Sequence, residues 1–262
     1  MRRLQTFCRY GIFFVGAALL SACSGTPTYN PTVFPASIDQ ARLDAHPMKT
    51  VVIAHVNLGS QSRNYLEKEA PRIDAQVTEY LRDNGFTVLP QREFEQHWNT
   101  AVRAFGNPVD PTSGKINTKT FAQIMHRVRD ELAESSSIDG FIFTDLVEVQ
   151  ESFSGGMKHL ARWDGVTRAP TMQGPGDGVS ASFDWSMMAA MVSLKVTIYD
   201  AELKPVFHGR GGIDATDAID SRSTKGRYIR RRNILENESN IMEGIQLAFY
   251  PLIDMEAWPG NP

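Results

Sequence analysis

The densest run of chemistry-bearing side chains in this sequence is Lys225-Gly226-Arg227-Tyr228-Ile229-Arg230-Arg231-Arg232, five positive charges in eight residues. The chain as a whole has 27 basic and 30 acidic residues. Against that balance the run is either a solvated charged face or a place where an anion is held. If Asn233 caps the final helix, Arg230, Arg231 and Arg232 stand beside the positive end of its dipole. Each cation there is unfavourable by a few tenths of a kcal/mol, a cost that a bound anion would offset. Tyr228 among the arginines suits a protein interface. Lys225, Arg227, Tyr228, Arg230, Arg231 and Arg232 are therefore the candidate anion- or partner-binding residues.

Other groups are less suggestive. No pair among His46, His55, His97, His126, His159 and His208 has zinc-ligand spacing. His55 alternates with Val51 and Ile53, the pattern of a core histidine, and His126 lies off the apolar stripe of its helix. Asp214, Asp217 and Asp220 recur at spacing three but lack the D-x-D-x-D-G register of a calcium loop, which leaves turn and cap duty. Gly209-Arg210-Gly211-Gly212 matches neither a phosphate loop nor a dinucleotide fingerprint and reads as a bulged strand end. No G-x-S-x-G is present, and nothing orders a triad. No catalytic residue, cofactor or metal is expected, and a net charge of −3 argues against a nucleic-acid partner.

A second candidate surface is the long stretch from Ser152 to Ser182, rich in glycine. Inside it Asp164-Gly165 is a two-residue hairpin turn, and Trp163, Asp164, Gly165 and Arg168 are the candidate interaction loop. The flanking arms include Lys158, His159, Arg162 and Arg168 and lack the clean apolar alternation of a membrane-spanning strand. They read as a surface hairpin, which disfavours a pore. Trp163 and Trp185 are either buried anchors or contact residues, with burial the better reading. Met187, Met188 and Met191 read as adaptable core packing.

The residues that position all of this begin with an address. Arg2, Arg3 and Arg9 precede a ten-residue apolar stretch, Gly11 to Leu20, which is the plan of a secretory signal and too short to span a bilayer. Leu20-Ser21-Ala22-Cys23 follows, and small residues ending on a cysteine resemble a bacterial lipobox. The expectation is cleavage of residues 1–22 and lipidation of Cys23. Losing the three arginines would leave 24 basic residues against 30 acidic ones, a balance of −6. Ser24 after the cysteine resembles the outer-membrane default of lipoprotein sorting. Residues 23–49, with Pro27, Pro31, Pro35 and Pro47 and no sustained periodicity, read as a flexible tether with a coil dimension of about 30 Å.

From residue 50 the periodicity predicts a single domain over 50–256. A buried strand at 50–58 leads to a helix at 71–84 and a short strand at 86–89. Helices follow at 92–105 and from 118, then strands at 138–150, 183–199 and 205–213, and a closing helix at 234–249. The order β-α-β-α-α-β-β-β-α predicts an α+β fold: a mixed, largely antiparallel sheet covered by helices.

This order, behind a lipobox, resembles a group of bacterial envelope lipoproteins that share the fold of the curli-export lipoprotein CsgG and of the TolB N-terminal domain. The residues that carry the resemblance are Val51-Val52-Ile53-Ala54, Leu81-Arg82-Asp83-Asn84-Gly85-Phe86 and Val196-Thr197-Ile198-Tyr199-Asp200. It implies a lipid-anchored outer-membrane protein facing the periplasm of a Gram-negative bacterium. It further implies a non-enzymatic scaffold or adaptor in envelope assembly or secretion, with the membrane and envelope proteins as partners and homo-oligomerisation open. The alternative reading is a binding module for an anionic envelope lipid or glycan.

Overall fold

The computed structural model describes residues 36–54, 64–110, 112–113, 115–176 and 178–255. The signal, Cys23 and the first part of the tether lie outside them, as does His55.

The first elements overturn part of the tether reading. Ala36–Ile38 (β1) pairs antiparallel with Pro205–Ala215 (β9), Ala36 opposite Gly209. Gln40–Ala45 (α1) follows, capped by Asp39. Arg42 on this helix forms ion pairs with Asp200 and with Glu202, the latter at 2.6 Å. Elements of three and six residues are too short to display a period, so their partners, not their own pattern, define them.

The rest of the core follows the predicted order. Thr50–Ala54 (β2) crosses through Asn64–Glu67 (α2) and Ala70–Asp83 (α3) to Thr87–Leu89 (β3). Gln91–Phe105 (α4) and Thr118–Ser135 (α5) lead to Gly140–Ser152 (β4). Asn117, not Thr118, caps α5, its side chain accepting from Thr120 N–H. Ala161–Trp163 (β5), Val166–Arg168 (β6) and Met172–Gln173 (β7) fill the interval before Met188–Asp200 (β8). After β9 come Asp217–Asp220 (β10), Tyr228–Arg230 (β11) and Glu238–Phe249 (α6). The main sheet has the order β1-β9-β8-β4-β2-β3, parallel among β4, β2 and β3 and antiparallel from β4 to β1. This is an α+β fold.

Alternation along the strands sends side chains to two cores. Val51, Ile53, Ile142, Leu194 and Val196 meet α3 and α6 on one face, while Val52, Ala54, Phe141 and Phe143 meet α4 and α5 on the other. A strand such as β2, buried on both faces, therefore reads as an unbroken apolar run.

Beyond the reach of α4 and α5, the second face is covered by the β5–β6 hairpin, and the glycines of β9 make room for it. A Cβ on Gly212 would lie 2.3 Å from Val166 and 2.9 Å from the Trp163 carbonyl. On the opposite face a Cβ on Gly211 would lie 1.9 Å from the Gly244 carbonyl of α6, and one on Gly209 2.1 Å from that of Ala248. The glycine cluster thus lies inside the strand rather than at its end. The expected bulge is present just beyond it, at Ile213, between the pairs Ser193–Gly212 and Val192–Asp214.

The last helix begins four residues later than the periodicity predicts. Leu235 has φ +56°, a left-handed conformation that interrupts any helix from 234, and Asn237 provides the cap by accepting from Asn240 N–H. Consequently Arg230, Arg231 and Arg232 do not flank a helix N-terminus, and the dipole argument does not apply to them.

Because Gly211 touches backbone that cannot swing aside, Gly211→Ala is expected to cost about 3 kcal/mol in urea denaturation. Gly178→Ala, where a Cβ meets open space, is expected to change stability by less than about 0.5 kcal/mol.

Candidate functional site

Folding the chain back between β10 and β11 brings the acidic triplet onto the arginine run. Asp217 stands opposite Arg230, and Asp220 N–H donates to the Arg227 carbonyl. The side chains pair in the same order: Arg231 with Asp214 at 2.8 Å, Arg230 with Asp217 at 3.3 Å, and Arg227 with Asp220 at 2.8 Å. Asp214 and Asp217 are therefore not turn caps, Asp220 both caps its turn by accepting from Arg222 N–H and joins the ladder, and Arg227, Arg230 and Arg231 are not free cations. Two features read separately in the sequence are the two halves of one ladder.

Arg230 ties this ladder to the rest of the molecule. Its guanidinium lies over the Tyr65 ring, 4.3 Å from the centroid, and donates to the Tyr65 hydroxyl at 2.7 Å. It also reaches Glu148 at 3.3 Å and Thr216. Burial, together with the hydrogen bond given to Glu148, pushes the Tyr65 hydroxyl up to about 12, so it stays protonated and donating at neutral pH. One arginine thus joins β11 to β10, β4 and α2. Tyr228 turns inward, its ring 5.3 Å from Phe183 and 6.0 Å from Phe153, and burial raises its hydroxyl to about 12. It packs, half-buried, against the core of this end.

The turn between the two strands is built differently. The Asp220 side chain is fully buried, yet its carboxylate accepts from Arg222 N–H at 3.1 Å, Arg222 Nε at 2.9 Å, and Arg227 Nε and Nη2 at 3.0 and 2.8 Å. These donors, first the Arg222 and then the Arg227 guanidinium, hold the carboxyl far below the usual carboxylate range. The two arginine side chains remain 56% and 65% exposed. Both Nη atoms of Arg222 and the Nη1 of Arg227 make no hydrogen bond among the described residues. Lys225, exposed in the same turn, has no ion pair there either. Arg232, at the other end of the run, lies between two open clefts of about 290 and 340 Å³, one floored by Thr171 and Gln173 and the other by Glu69 and Arg72.

The candidate interaction loop within the second stretch is not exposed, although Met157, Lys158 and Met172 of that stretch are. The turn has the expected left-handed pair, φ +38° at Asp164 and +87° at Gly165, but Trp163, Asp164, Gly165 and Val166 are all buried. Ser193 donates to Asp164 at 2.6 Å and Arg210 pairs with it at 3.1 Å. Arg168 donates to the Ile213 carbonyl at 2.8 Å and pairs with Glu243 of α6 at 2.6 Å. Of the polar arms, Lys158 and Arg162 are exposed as expected, while Arg168 finds its partners far along the chain. The interval 152–182 is correspondingly structured, with Gln173 in β7, parallel to β10 opposite Asp220. Trp185 is half-buried and stacks on His159 at 3.6 Å. Among the three methionines read as core, Met191 is buried and Met188 is 54% exposed.

No family model, no curated protein and no solved structure matches this chain.

Asp220 contributes stability that is present above the usual carboxylate range and lost as pH falls from there toward its lowered folded value. Asp220→Asn is therefore expected to unfold more easily than the wild type at pH 7, with the difference shrinking below about pH 4. Denaturant titrations across that range measure it. Removing the guanidinium from the buried Asp214, as in Arg231→Met, is expected to cost about 3 kcal/mol. Asp214→Asn in the same background should recover part of the loss.

Proposed function

We propose that this chain is a lipid-anchored protein of a Gram-negative outer membrane. Its periplasmic body is a non-enzymatic scaffold or adaptor in envelope assembly or secretion. The observation that carries this reading is the arrangement of the body behind the lipobox. Only residues 24–35 separate Cys23 from β1, and β1 with α1 is fastened to the sheet edge by strand pairing and by the Arg42 ion pairs. Twelve residues reach at most about 42 Å fully extended, less than half of what the 23–49 tether would allow. A body on so short a lead works beside the membrane, as an adaptor would.

The use of the charged residues supports the same reading. The ladder, Asp164 with Arg210, and Arg168 with Glu243 brace a surface rather than converge on a cavity. The proposed likeness to CsgG and the TolB N-terminal domain is supported by the mixed sheet, in which β-α-β units precede an antiparallel meander. The second reading, a module for an anionic envelope lipid or glycan, is favoured by one observation: Asp220 holds Arg222 and Arg227 side by side, and their outer nitrogens make no hydrogen bond among the described residues.

The expected outcome is incorporation of labelled palmitate into the wild type and none into Cys23→Ser. Absence of label from the wild type would overturn the anchor. Chemical cross-linking in intact cells should recover a reproducible set of envelope proteins, and recovery of none would overturn the adaptor role.

A further inference from the structure

The β4–β8 pairing outruns the rest of the sheet, and the far end it creates gathers two kinds of exposed side chain. Five large apolar side chains are exposed among the described residues, and three of them are at this end. Met188 ends β8 opposite Ser152, Met157 lies in the turn that follows β4, and Met172 sits on β7 alongside Ile219. Met157 is 98% exposed. Beside them are cations: Lys158 in the Met157 turn, and Arg222, Lys225 and Arg227 on the β10–β11 turn. The carboxylate within that turn, Asp220, is buried beneath its two arginines, so the turn itself carries surplus positive charge, with the exposed Asp184 as the carboxylate facing it from the neighbouring segment near Tyr228.

The attachment of the chain points the same way. β1 runs antiparallel to β9, and β9 leads into β10, so Ala36 is the end of β1 nearer to this far edge. A lipid at Cys23 lies at most about 45 Å of extended chain from Ala36.

We propose that this end of the sheet is a membrane-facing surface that engages anionic phospholipid. Arg222 and Arg227 take headgroup phosphates on the nitrogens that Asp220 leaves free, Lys225 and Lys158 add attraction, and Met157, Met172 and Met188 enter the headgroup boundary. Apolar tips ringed by cations match such an interface, and an arginine fork suits a phosphate oxygen better than a point charge does. The overall excess of acid makes the choice of face selective, because the remaining surface is repelled by the same lipids. The direction of approach rests on the proposed anchor; the surface itself does not.

The test uses the mature chain with Cys23→Ser, so that no lipid contributes. Co-sedimentation is measured with vesicles of phosphatidylcholine alone and with vesicles containing equal parts of phosphatidylglycerol. Binding to the anionic vesicles, weakened by salt and absent from the neutral ones, is the expected result. Lys225→Glu with Met157→Glu is expected to weaken it about tenfold without changing the thermal unfolding midpoint, since neither residue is part of the ladder. Arg222→Gln with Arg227→Gln should weaken it further. Equal binding by the wild type and the Lys225/Met157 variant, or none by the wild type, would overturn the proposal. So would full competition by inorganic phosphate, which would make the site one for a free anion. Stronger binding to a polyglutamate peptide than to the vesicles would make the partner an acidic protein. Palmitate labelling fails or succeeds separately, so loss of the anchor reading is not loss of this one.

Discussion

The structure depends on β9 lying within backbone contact of two layers at once. Gly209 and Gly211 let α6 rest its carbonyls directly on one face of the strand, and Gly212 lets the Trp163–Val166 hairpin rest on the other. No side chain larger than hydrogen fits at either contact, so the two layers and the strand are fixed as one unit. Arg210, between the glycines, is aimed at the hairpin's Asp164, and Arg168 of the hairpin reaches back to α6 through Glu243. The charges are tolerated because each has its ion-pair partner within the same unit, although the Nε of Arg210 makes no hydrogen bond among the described residues.

The ladder is an extension of this strand. Once β9 is held, the bulge at Ile213 and the chain beyond it deliver Asp214, Asp217 and Asp220 in order to the returning arginines. Arg230 transmits that placement to β4 and α2. The outermost rung differs from the other two. Two guanidiniums share one carboxylate, and the exposed halves of both are left over. The geometry that neutralises the inner rungs also produces surplus positive charge at the tip.

Much of this was readable in the sequence, with the limits set by distance along the chain. Helices α3, α4 and α5 and strands β2, β4, β8 and β9 announce themselves because their apolar periods are local. The Asp164-Gly165 turn was legible for the same reason. Its burial was not, because Arg168 and Asp164 look like solvent residues until Glu243, Ser193 and Arg210 are brought to them. The ladder did leave a signal. Asp217 and Asp220 step by three, as do Arg227 and Arg230, so folding the chain about residues 223–224 superposes them. Reading the acidic and basic groups separately concealed it. The late start of α6 was hidden in Leu235, an ordinary helix former whose left-handed backbone only the Arg72 contact to its carbonyl and the surrounding chain impose.

The pairing of β1 with β9 has a consequence for how the chain reaches this state. Among the described residues β1 is the first strand of the main sheet and β9 the last, and they pair with Ala36 opposite Gly209. Contacts of that sequence separation form slowly, since a long loop must close before they contribute. Until residues 205–215 are in place, β1 has no strand to pair with, and α1 has only the Arg42 ion pairs to Asp200 and Glu202. Closure of the N-terminal clamp is therefore a late event in folding, and a chain cut short before β9 would leave its amino-terminal segment undocked.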